Sequence, residues 1–422
     1  MLPDMSTAAI APPPAHRESF WRRNLFIAGL GIGQIISWGT LYYSFPLIAE
    51  PMGKELALSK TEVYGAATLG LVVTGLAAYP IGAAIDRGRG RGVMTWGSVL
   101  GGLLLIAWSR VGNLGVFYLL FAGIGLVQAM TLYDPAFAVV ARRFGKDARS
   151  GITNLTLWGG FASTVFVPLL QALLNNLGWR NALLVLGACN LAVCIALHAV
   201  IINPAADDPD AAQPKGAAGG ASQARGRLAV RWVLAKPAFW GLLASFTLYY
   251  GIFVGLTFHL YPLLLERGLT TATVVSAIAI VGPSQVAGRI AIWMFGARGS
   301  MRVIGSLTVL VLPCVLLFLL LLPPGFGPLA AFAAAYGAMN GVMTIVRGLA
   351  VPEMITREAY GAINGLLAAP GNVAKAIAPV SVAWLWAAAG SYHAVLVVGL
   401  ACSGVVVAGF WFAAWKSKDT AL

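Results

Sequence analysis

Apolar blocks of about 20 residues recur along almost the whole chain, and short polar segments separate them. A helix of this length spans the hydrocarbon core of a bilayer. Of the 422 residues, 59% are hydrophobic and 10% are charged, whereas a soluble domain carries about 25% charged residues. The pattern predicts an all-α membrane protein with 12 transmembrane helices and no sizeable soluble domain. The predicted spans are 25–47, 62–84, 93–110, 114–138, 152–175, 180–202, 238–264, 272–295, 302–322, 328–349, 361–386 and 391–415.

The basic residues concentrate in alternate loops, namely those on the side of the two chain ends. Because positively charged loops stay on the cytoplasmic side, this bias predicts a multi-pass inner-membrane protein with both termini cytoplasmic. The net charge of +13 is dispersed among helix ends, so we expect a lipid bilayer and no nucleic acid as its large partner. We also expect a monomer.

The segment 203–236 differs in composition from the spans, because it is polar and rich in Ala, Gly and Pro. Such a segment cannot bury a core and is typical of a mobile linker. Its end, from Arg227 to Lys236 around Trp232, is a candidate for a basic amphipathic turn on the membrane surface. The predicted organisation is a cytoplasmic tail (1–24), a six-helix bundle (25–202), the cytoplasmic linker (203–236), a second six-helix bundle (237–415) and a short cytoplasmic tail (416–422).

The two halves resemble each other in sequence. LYYSFPLIAE at 41–50 aligns with TFHLYPLLLE at 257–266, so that Pro46 matches Pro262 and Glu50 matches Glu266. Apolar helices also resemble one another by composition alone, but the matching positions favour a duplication. Transporters built from internal repeats bind their substrate near the bilayer midplane, between the halves.

The loop after the second span contains Gly82, Asp86 and Arg87, followed by alternating glycine and arginine up to Arg91. Here the chain resembles the major facilitator superfamily, whose signature in this loop is G-x-x-x-D-R. The resemblance covers the whole chain and implies two six-helix bundles that alternate access. In the second half, the corresponding stretch keeps Arg298 but has Met294 in the acidic position. The candidate gating residues are therefore Asp86, Arg87, Arg91 and Arg298, although the arginines could instead only enforce topology.

Three charged residues stand out within predicted spans: Asp134, Arg289 and Lys375. A charge at the centre of a membrane helix costs about 2.5–3.5 kcal/mol, so we expect each to face protein or water. Two cations and one acid leave a positive cavity that suits an organic anion, with Arg289 as a forked carboxylate donor. Arginine in the eighth span with lysine in the eleventh is similar to the oxalate/formate antiporter and monocarboxylate transporter branch, which implies that this pair binds carboxylate. The alternative is an ion pair of Asp134 with Arg289 or Lys375.

His259, in the outer half of the seventh span, is a candidate for substrate binding or proton coupling, because histidine changes charge between pH 5 and 8. Asp134 is the other candidate for proton coupling or charge balance. Further cavity candidates share one face of their helix, although polar stripes also hold membrane helices together. These candidates are Gln34, Trp38 and Tyr42 on the first span, Gln128 and Thr131 on the fourth, and Tyr336 and Asn340 on the tenth.

These features favour a secondary active transporter of small organic anions, mono- or dicarboxylates, that works as an antiporter or a proton symporter. The alternative is a transporter of a planar aromatic compound, either a vitamin-like nutrient such as a flavin or a toxic compound for efflux, because tyrosines and tryptophans accompany the charges. No nucleotide-binding, metalloprotease or hydrolase motif is present, so we expect neither an enzyme nor a cofactor nor a metal site. The 4 cysteines lie in apolar segments without metal-ligand spacing, so we expect no disulfide.

Overall fold

The computed structural model describes residues 20–207, 219–296, 299–323 and 325–417, and these residues are almost entirely helical. Within these ranges, 9 helical stretches are long and apolar enough to cross a membrane. Lys60–Trp108 contains two membrane crossings and Leu114–Ile201 contains three, because glycines with positive φ interrupt them at Gly88, Gly145 and Gly178. The prediction of twelve membrane helices is confirmed.

The first six spans form the N-terminal bundle. Span 1 comprises Phe20–Trp38, a π-helical turn at Gly39–Tyr43 and Ser44–Glu55; span 2 is Lys60–Ala84; span 3 is Gly90–Trp108; span 4 comprises Leu114–Thr131 and Tyr133–Phe144. Span 5 begins at Ala148–Gly160 and continues into Ala162–Cys189, which the kink at Gly178 divides between spans 5 and 6; span 6 ends with Ile195–Ile201.

The C-terminal bundle has six nearly continuous helices. They are Pro237–Glu266 (span 7), Thr271–Phe295 (span 8), Met301–Leu320 (span 9), Phe326–Met354 (span 10), Tyr360–Ala389 (span 11) and Tyr392–Lys416 (span 12). Spans 1 and 10 extend several residues beyond the predicted apolar limits, because hydropathy marks only the part of a helix that lies in the hydrocarbon. The start of span 1, the end of span 6, the start of span 7 and the end of span 12 lie at the same face of the molecule. We call this the terminal face.

A helix occupies the second part of the predicted linker, at Gly219–Leu234. Val230 and Val233 on this helix are buried and belong to the same apolar core as Ile85 and Tyr360. The helix thus packs against the terminal face of both bundles. The sequence indicated only the end of this helix, as a basic amphipathic turn from Arg227 to Lys236, because the rest of the segment is polar and rich in Ala and Gly.

The two bundles meet most closely where span 2 crosses span 11. A Cβ atom added to Gly82 would overlap the carbonyl group of Gly361, and one added to Gly365 would overlap that of Ala78. Nearer the midplane, the crossing continues from Gly75 to Ala369. Small residues let membrane helices approach to backbone contact. The structure is therefore closed at the terminal face.

Candidate functional site

A partly buried ion pair between Asp134 and Arg347 joins the two bundles. Asp134 lies in the first turn of Tyr133–Phe144, just after the helix of span 4 is interrupted at Leu132. Its Oδ1 atom lies 2.5 Å from Nη2 of Arg347 on span 10 and accepts a hydrogen bond of 3.2 Å from Nδ2 of Asn364 on span 11. The alternative in which Asp134 pairs with Arg289 or Lys375 is therefore wrong: its partner is Arg347.

Arg289 on span 8 is 7% exposed, and the structure records no ion pair for it within the described ranges. Its Nε atom has no hydrogen-bond partner there either. The guanidinium reaches the N-terminal bundle, because its Nη1 atom occupies the space that a side chain at Gly160 of span 5 would need. Tyr43 and Tyr133 lie within the electrostatic reach of its charge. Arg289 is thus a buried cation at the bundle interface without an acidic partner.

Lys375 on span 11 is the second cation for which the described residues supply no acid. Its Nζ atom donates to Oδ1 of Asn372 at 3.2 Å and lies 4.4 Å from the centre of the Tyr250 ring. The Cζ atom of Arg347 lies 5.9 Å from the same ring. Tyr250 on span 7 therefore stands between the lysine and the central ion pair, and a cation over an aromatic face is electrostatically favourable.

Because Asp134 neutralises Arg347, Arg289 and Lys375 give this region a net positive charge. Such an arrangement can bind an anion, since a buried cation gains stability from any acceptor that replaces its lost water. Sequence reasoning found Arg289, Lys375 and Asp134 because each is a charge in an apolar segment. It did not identify Arg347 as the partner, because Arg347 lies close to the end of the predicted span 328–349, where basic residues are common.

Aromatic rings from spans 1 and 4 pack together beside this charged region. The ring of Trp38 lies 5.1 Å from Tyr42, 6.1 Å from Tyr43 and 5.0 Å from Tyr133, measured between centroids. The π-helical turn Gly39–Tyr43 falls inside this cluster, and such turns occur frequently at functional sites. Tyr42 remains 37% exposed, whereas the Nε1 atom of Trp38 is buried without a partner among the described residues.

The other predicted cavity residues of the N-terminal bundle hold spans 1 and 4 together. Gln34 donates from Nε2 to the carbonyl oxygen of Thr131 at 2.7 Å, and Gln128 donates to that of Leu41 at 2.8 Å. The hydroxyl group of Thr131 bonds to the carbonyl oxygen of Val127 on its own helix. These side chains satisfy backbone and side-chain groups between helices, and the structure brings none of them into hydrogen-bond contact with the two cations.

In the C-terminal bundle, Tyr336 and Asn340 are likewise engaged between helices. The hydroxyl group of Tyr336 donates to the carbonyl oxygen of Phe253 at 2.7 Å, and its side chain is fully buried. Asn340 donates from Nδ2 to Oε1 of Gln285 at 3.1 Å. The stripe along span 10 thus separates into packing residues and, further along, the charged residue Arg347.

Both ring nitrogens of His259 are occupied. Nδ1 lies 2.8 Å from the hydroxyl group of Tyr392, and Nε2 lies 2.9 Å from the carbonyl oxygen of Pro379. A carbonyl oxygen can only accept, so Nε2 carries a proton and donates. Together with the contact between Nδ1 and Tyr392, this bond ties span 7 to spans 11 and 12.

At the terminal face, Asp86 caps the beginning of span 11. Its two carboxylate oxygens accept hydrogen bonds from the backbone N–H groups of Gly361 and Ala362, at 2.8 and 2.7 Å. Burial raises the pKa of this carboxyl to about 6. Arg142 of span 4 donates to the backbone carbonyl of Asp86 and forms an ion pair of 2.9 Å with Asp207.

Of the other predicted gating residues, Arg87 and Arg91 have exposed side chains, and Arg298 lies outside the described residues. Sequence reasoning missed a second contact between the bundles. Arg149, at the start of span 5, donates to the carbonyl oxygens of Gly296 and Gly299 at 2.6 and 2.5 Å and lies 3.6 Å from Glu353 of span 10. In the sequence, Arg149 stands out only as one of the basic residues of the loop between spans 4 and 5.

The sequence model described as Major Facilitator Superfamily matches residues 30–321. The chain belongs to this superfamily. It is therefore a multi-pass membrane protein.

Several curated relatives carry the name monocarboxylate transporter. Monocarboxylate transporter 11 of Homo sapiens is 31% identical over 79% of this chain, and the aligned part covers 62% of that protein. Monocarboxylate transporter 13 of Rattus norvegicus is 29% identical over 90% of this chain and 86% of its own length. The chain thus spans less than two thirds of the human relative.

Solved structures share the fold. The human organic anion transporter MFSD10 superposes with a TM-score of 0.69 over 95% of this chain and 100% of its own, at 15% identity. FucP, a superfamily transporter in the outward conformation, gives a TM-score of 0.68 over 94% of this chain and 99% of its own, also at 15% identity. At this identity the likeness establishes the fold alone.

Proposed function

We propose that this protein is a secondary active transporter of small organic anions, with monocarboxylates as the preferred class. The observation that carries the proposal is the presence of two cations, the buried Arg289 and the partly buried Lys375, that form no ion pair with any described residue. The names of the relatives at about 30% identity support the same class.

In this proposal, Arg289 binds the substrate carboxylate through parallel N–H donors, because guanidinium and carboxylate match in geometry. Lys375 neutralises the remaining negative charge, and Tyr250 keeps its ammonium in place. The distribution of basic loops makes the terminal face cytoplasmic. With the terminal face closed by the contact of spans 2 and 11, we propose that the substrate reaches the site from the external side.

Asp134 is our candidate for coupling to protons. Protonation of its carboxylate would release Arg347, so proton binding and the local charge are linked at one ion pair. His259 is a weaker candidate, because both of its nitrogens are engaged by partners away from the charged region. We therefore propose proton symport through Asp134, with anion exchange as the other outcome of the test.

The proposal is tested by uptake into proteoliposomes, using a panel of mono- and dicarboxylates. Arg289→Gln and Lys375→Gln should each lower carboxylate uptake at least tenfold, because each removes a charge-assisted contact with the substrate. Arg110→Gln, an exposed arginine at the other face, is the matched control and should transport like the parent. Normal carboxylate uptake by both buried-cation variants, at equal protein yield, would contradict the proposal.

The aromatic cluster around Trp38 supports a second candidate, a planar aromatic substrate that stacks on Tyr42 or Tyr43. Competition separates the two. If Arg289 and Lys375 determine the substrate class, simple carboxylates should inhibit uptake of the transported compound into proteoliposomes. If stacking on the aromatic cluster determines it, an uncharged aromatic compound should inhibit that uptake instead.

A further inference from the structure

The helix Gly219–Leu234, which leads into span 7, has two different faces. Val230 and Val233 are 8% and 1% exposed and lie against the loop after span 2 and the beginning of span 11. On the opposite face, Arg227 and Arg231 are exposed next to Leu228 and Trp232, which are 62% and 42% exposed. This second face contacts no other described part of the protein closely enough to bury it.

The exposed face combines basic and apolar groups in a fixed order. Residues four apart lie above one another on a helix, so Arg227 and Arg231 form one row and Leu228 and Trp232 form the adjacent row. The Nζ atom of Lys236 lies 4.4 Å from the centre of the Trp232 ring, which adds a third positive charge beside the indole.

The exposed face lies next to the start of span 7. Span 7 begins at Pro237, directly after the helix. Trp240, which is 53% exposed on the first turn of span 7, donates from Nε1 to the carbonyl oxygen of Leu234 at 2.9 Å. Because tryptophan accumulates at the level of lipid headgroups, this bond holds the end of the helix at the membrane surface.

We propose that residues 227–240 form a binding surface for anionic phospholipid headgroups in the leaflet at the terminal face. Leu228, Trp232 and Trp240 enter the boundary between headgroups and acyl chains, as the apolar residues of interfacial helices do. Arg227, Arg231 and Lys236 bind the phosphate and the additional negative charge of the lipid. A bound lipid would thereby contact a helix whose other face rests on both bundles.

Titration of the purified full-length protein in a neutral detergent tests the proposal. The probes are short-chain phosphatidylglycerol, short-chain phosphatidylcholine and inorganic phosphate, with binding followed by thermophoresis. The double variant Arg227→Gln/Arg231→Gln should lose at least tenfold in affinity for phosphatidylglycerol, because each basic residue near an anionic surface contributes roughly a fivefold factor. The control Lys60→Gln/Arg110→Gln removes two positive charges at the other face and should bind phosphatidylglycerol like the parent.

A second variant distinguishes a lipid from a free anion. Trp232→Ser keeps both arginines and should also weaken phosphatidylglycerol binding severalfold, because it removes the apolar contact. Equal phosphatidylglycerol affinity in the parent and the double arginine variant would overturn the proposal. So would equal affinity for phosphatidylcholine, or full competition by millimolar inorganic phosphate. Since these side chains are exposed, monodispersity and the melting temperature should match the parent and serve as folding checks.

Discussion

Among individual residues, the buried cations differ in whether an acid accompanies them. Arg347 is held by Asp134, and the pair is completed by Asn364. Arg289 and Lys375 have polar and aromatic neighbours instead of a described carboxylate. A paired charge stabilises the resting structure, whereas a cation without an acid remains available to a ligand. This difference separates the structural charge from the proposed binding charges.

The pairing of Asp134 with Arg347 predicts strong coupling between these two positions. Each single variant, Asp134→Asn or Arg347→Gln, leaves one partly buried charge uncompensated and should lower the free energy of unfolding, by less than the ~3–5 kcal/mol that is typical of fully buried ion pairs. The double variant should lose less than the sum of the two. Thermal unfolding of the four proteins in one detergent measures the coupling, and strictly additive losses would refute it.

The different environments of Asp134 and His259 predict different effects on proton coupling. Uptake by the parent should rise as the external pH falls, and Asp134→Asn should remove that dependence. His259→Gln should keep it, since both ring nitrogens of His259 are engaged by Tyr392 and Pro379, away from the charged region. Measuring proteoliposome uptake between pH 5.5 and 8 decides the matter: if Asp134→Asn remained as pH-dependent as the parent, the coupling role would have to be abandoned.

Hydropathy could identify the charged residues but not their partners. Asp134, Arg289 and Lys375 stand out in sequence because their cost in lipid requires an explanation. The choice of Arg347 over Arg289 depends on the rotation of spans 8 and 10 about their axes, which a helical period does not specify. For the same reason, the polar stripes with Gln34 and Tyr336 indicated a shared face but not that this face packs against another helix.

At the level of elements, close glycine contacts determine how the bundles meet. Spans 2 and 11 approach to backbone distance at Gly82 and Gly361. Asp86, one turn beyond Gly82, can therefore reach the free N–H groups at the start of span 11. An anionic group at a helix N-terminus is stabilised both by these donors and by the helix dipole.

The glycine crossing predicts the effect of a larger side chain. Gly82→Val should prevent closure of the terminal face and reduce transport by at least tenfold, because the added atoms would overlap the carbonyl group of Gly361. Gly92→Val is a suitable control, since a side chain there meets nothing within 4 Å. Uptake assays compare the two, with the reactivity of a cysteine introduced on the terminal side of the crossing as a direct measure of opening. Parent-like transport by Gly82→Val would refute the need for this contact.

The carboxyl group of Asp86 predicts that acid favours closure of the terminal face. Its pKa is about 6 in the closed arrangement and would return toward the ordinary value of about 3.9 when water reaches it. The closed state then binds the proton more tightly, so its population should grow as the pH falls through 6 and the effect should be absent above pH 7.

Cysteine reactivity at pH 7.5 and 5.5 measures this shift. Asp86→Asn should be insensitive to the change in pH. Asp147→Asn, which alters an exposed ion pair with Arg23, should respond like the parent. An equally large pH response in Asp86→Asn would show that another group is responsible.

For the whole molecule, the number of spans could be predicted because the thickness of the bilayer dictates the length of each apolar block. The full extent of the linker helix could not, since 203–236 is polar on average and the pattern indicated no more than an amphipathic turn at its end. The second bundle contact was missed for a related reason. With Met294 in the acidic position, the sequence indicated only Arg298 as a gating candidate in that half, whereas the structure places Arg149 of the N-terminal bundle against Gly296, Gly299 and Glu353.

The two closures of the terminal face consequently differ in chemistry. One is a buried carboxylate received by backbone amides, and the other is a partly exposed guanidinium that reaches carbonyl oxygens and an acid. Ionic strength screens the second far more than the first. High ionic strength would thus weaken the contacts of Arg149, whereas acid would favour closure through Asp86. The population of the closed state would therefore depend on both the salt concentration and the pH of the cytoplasm.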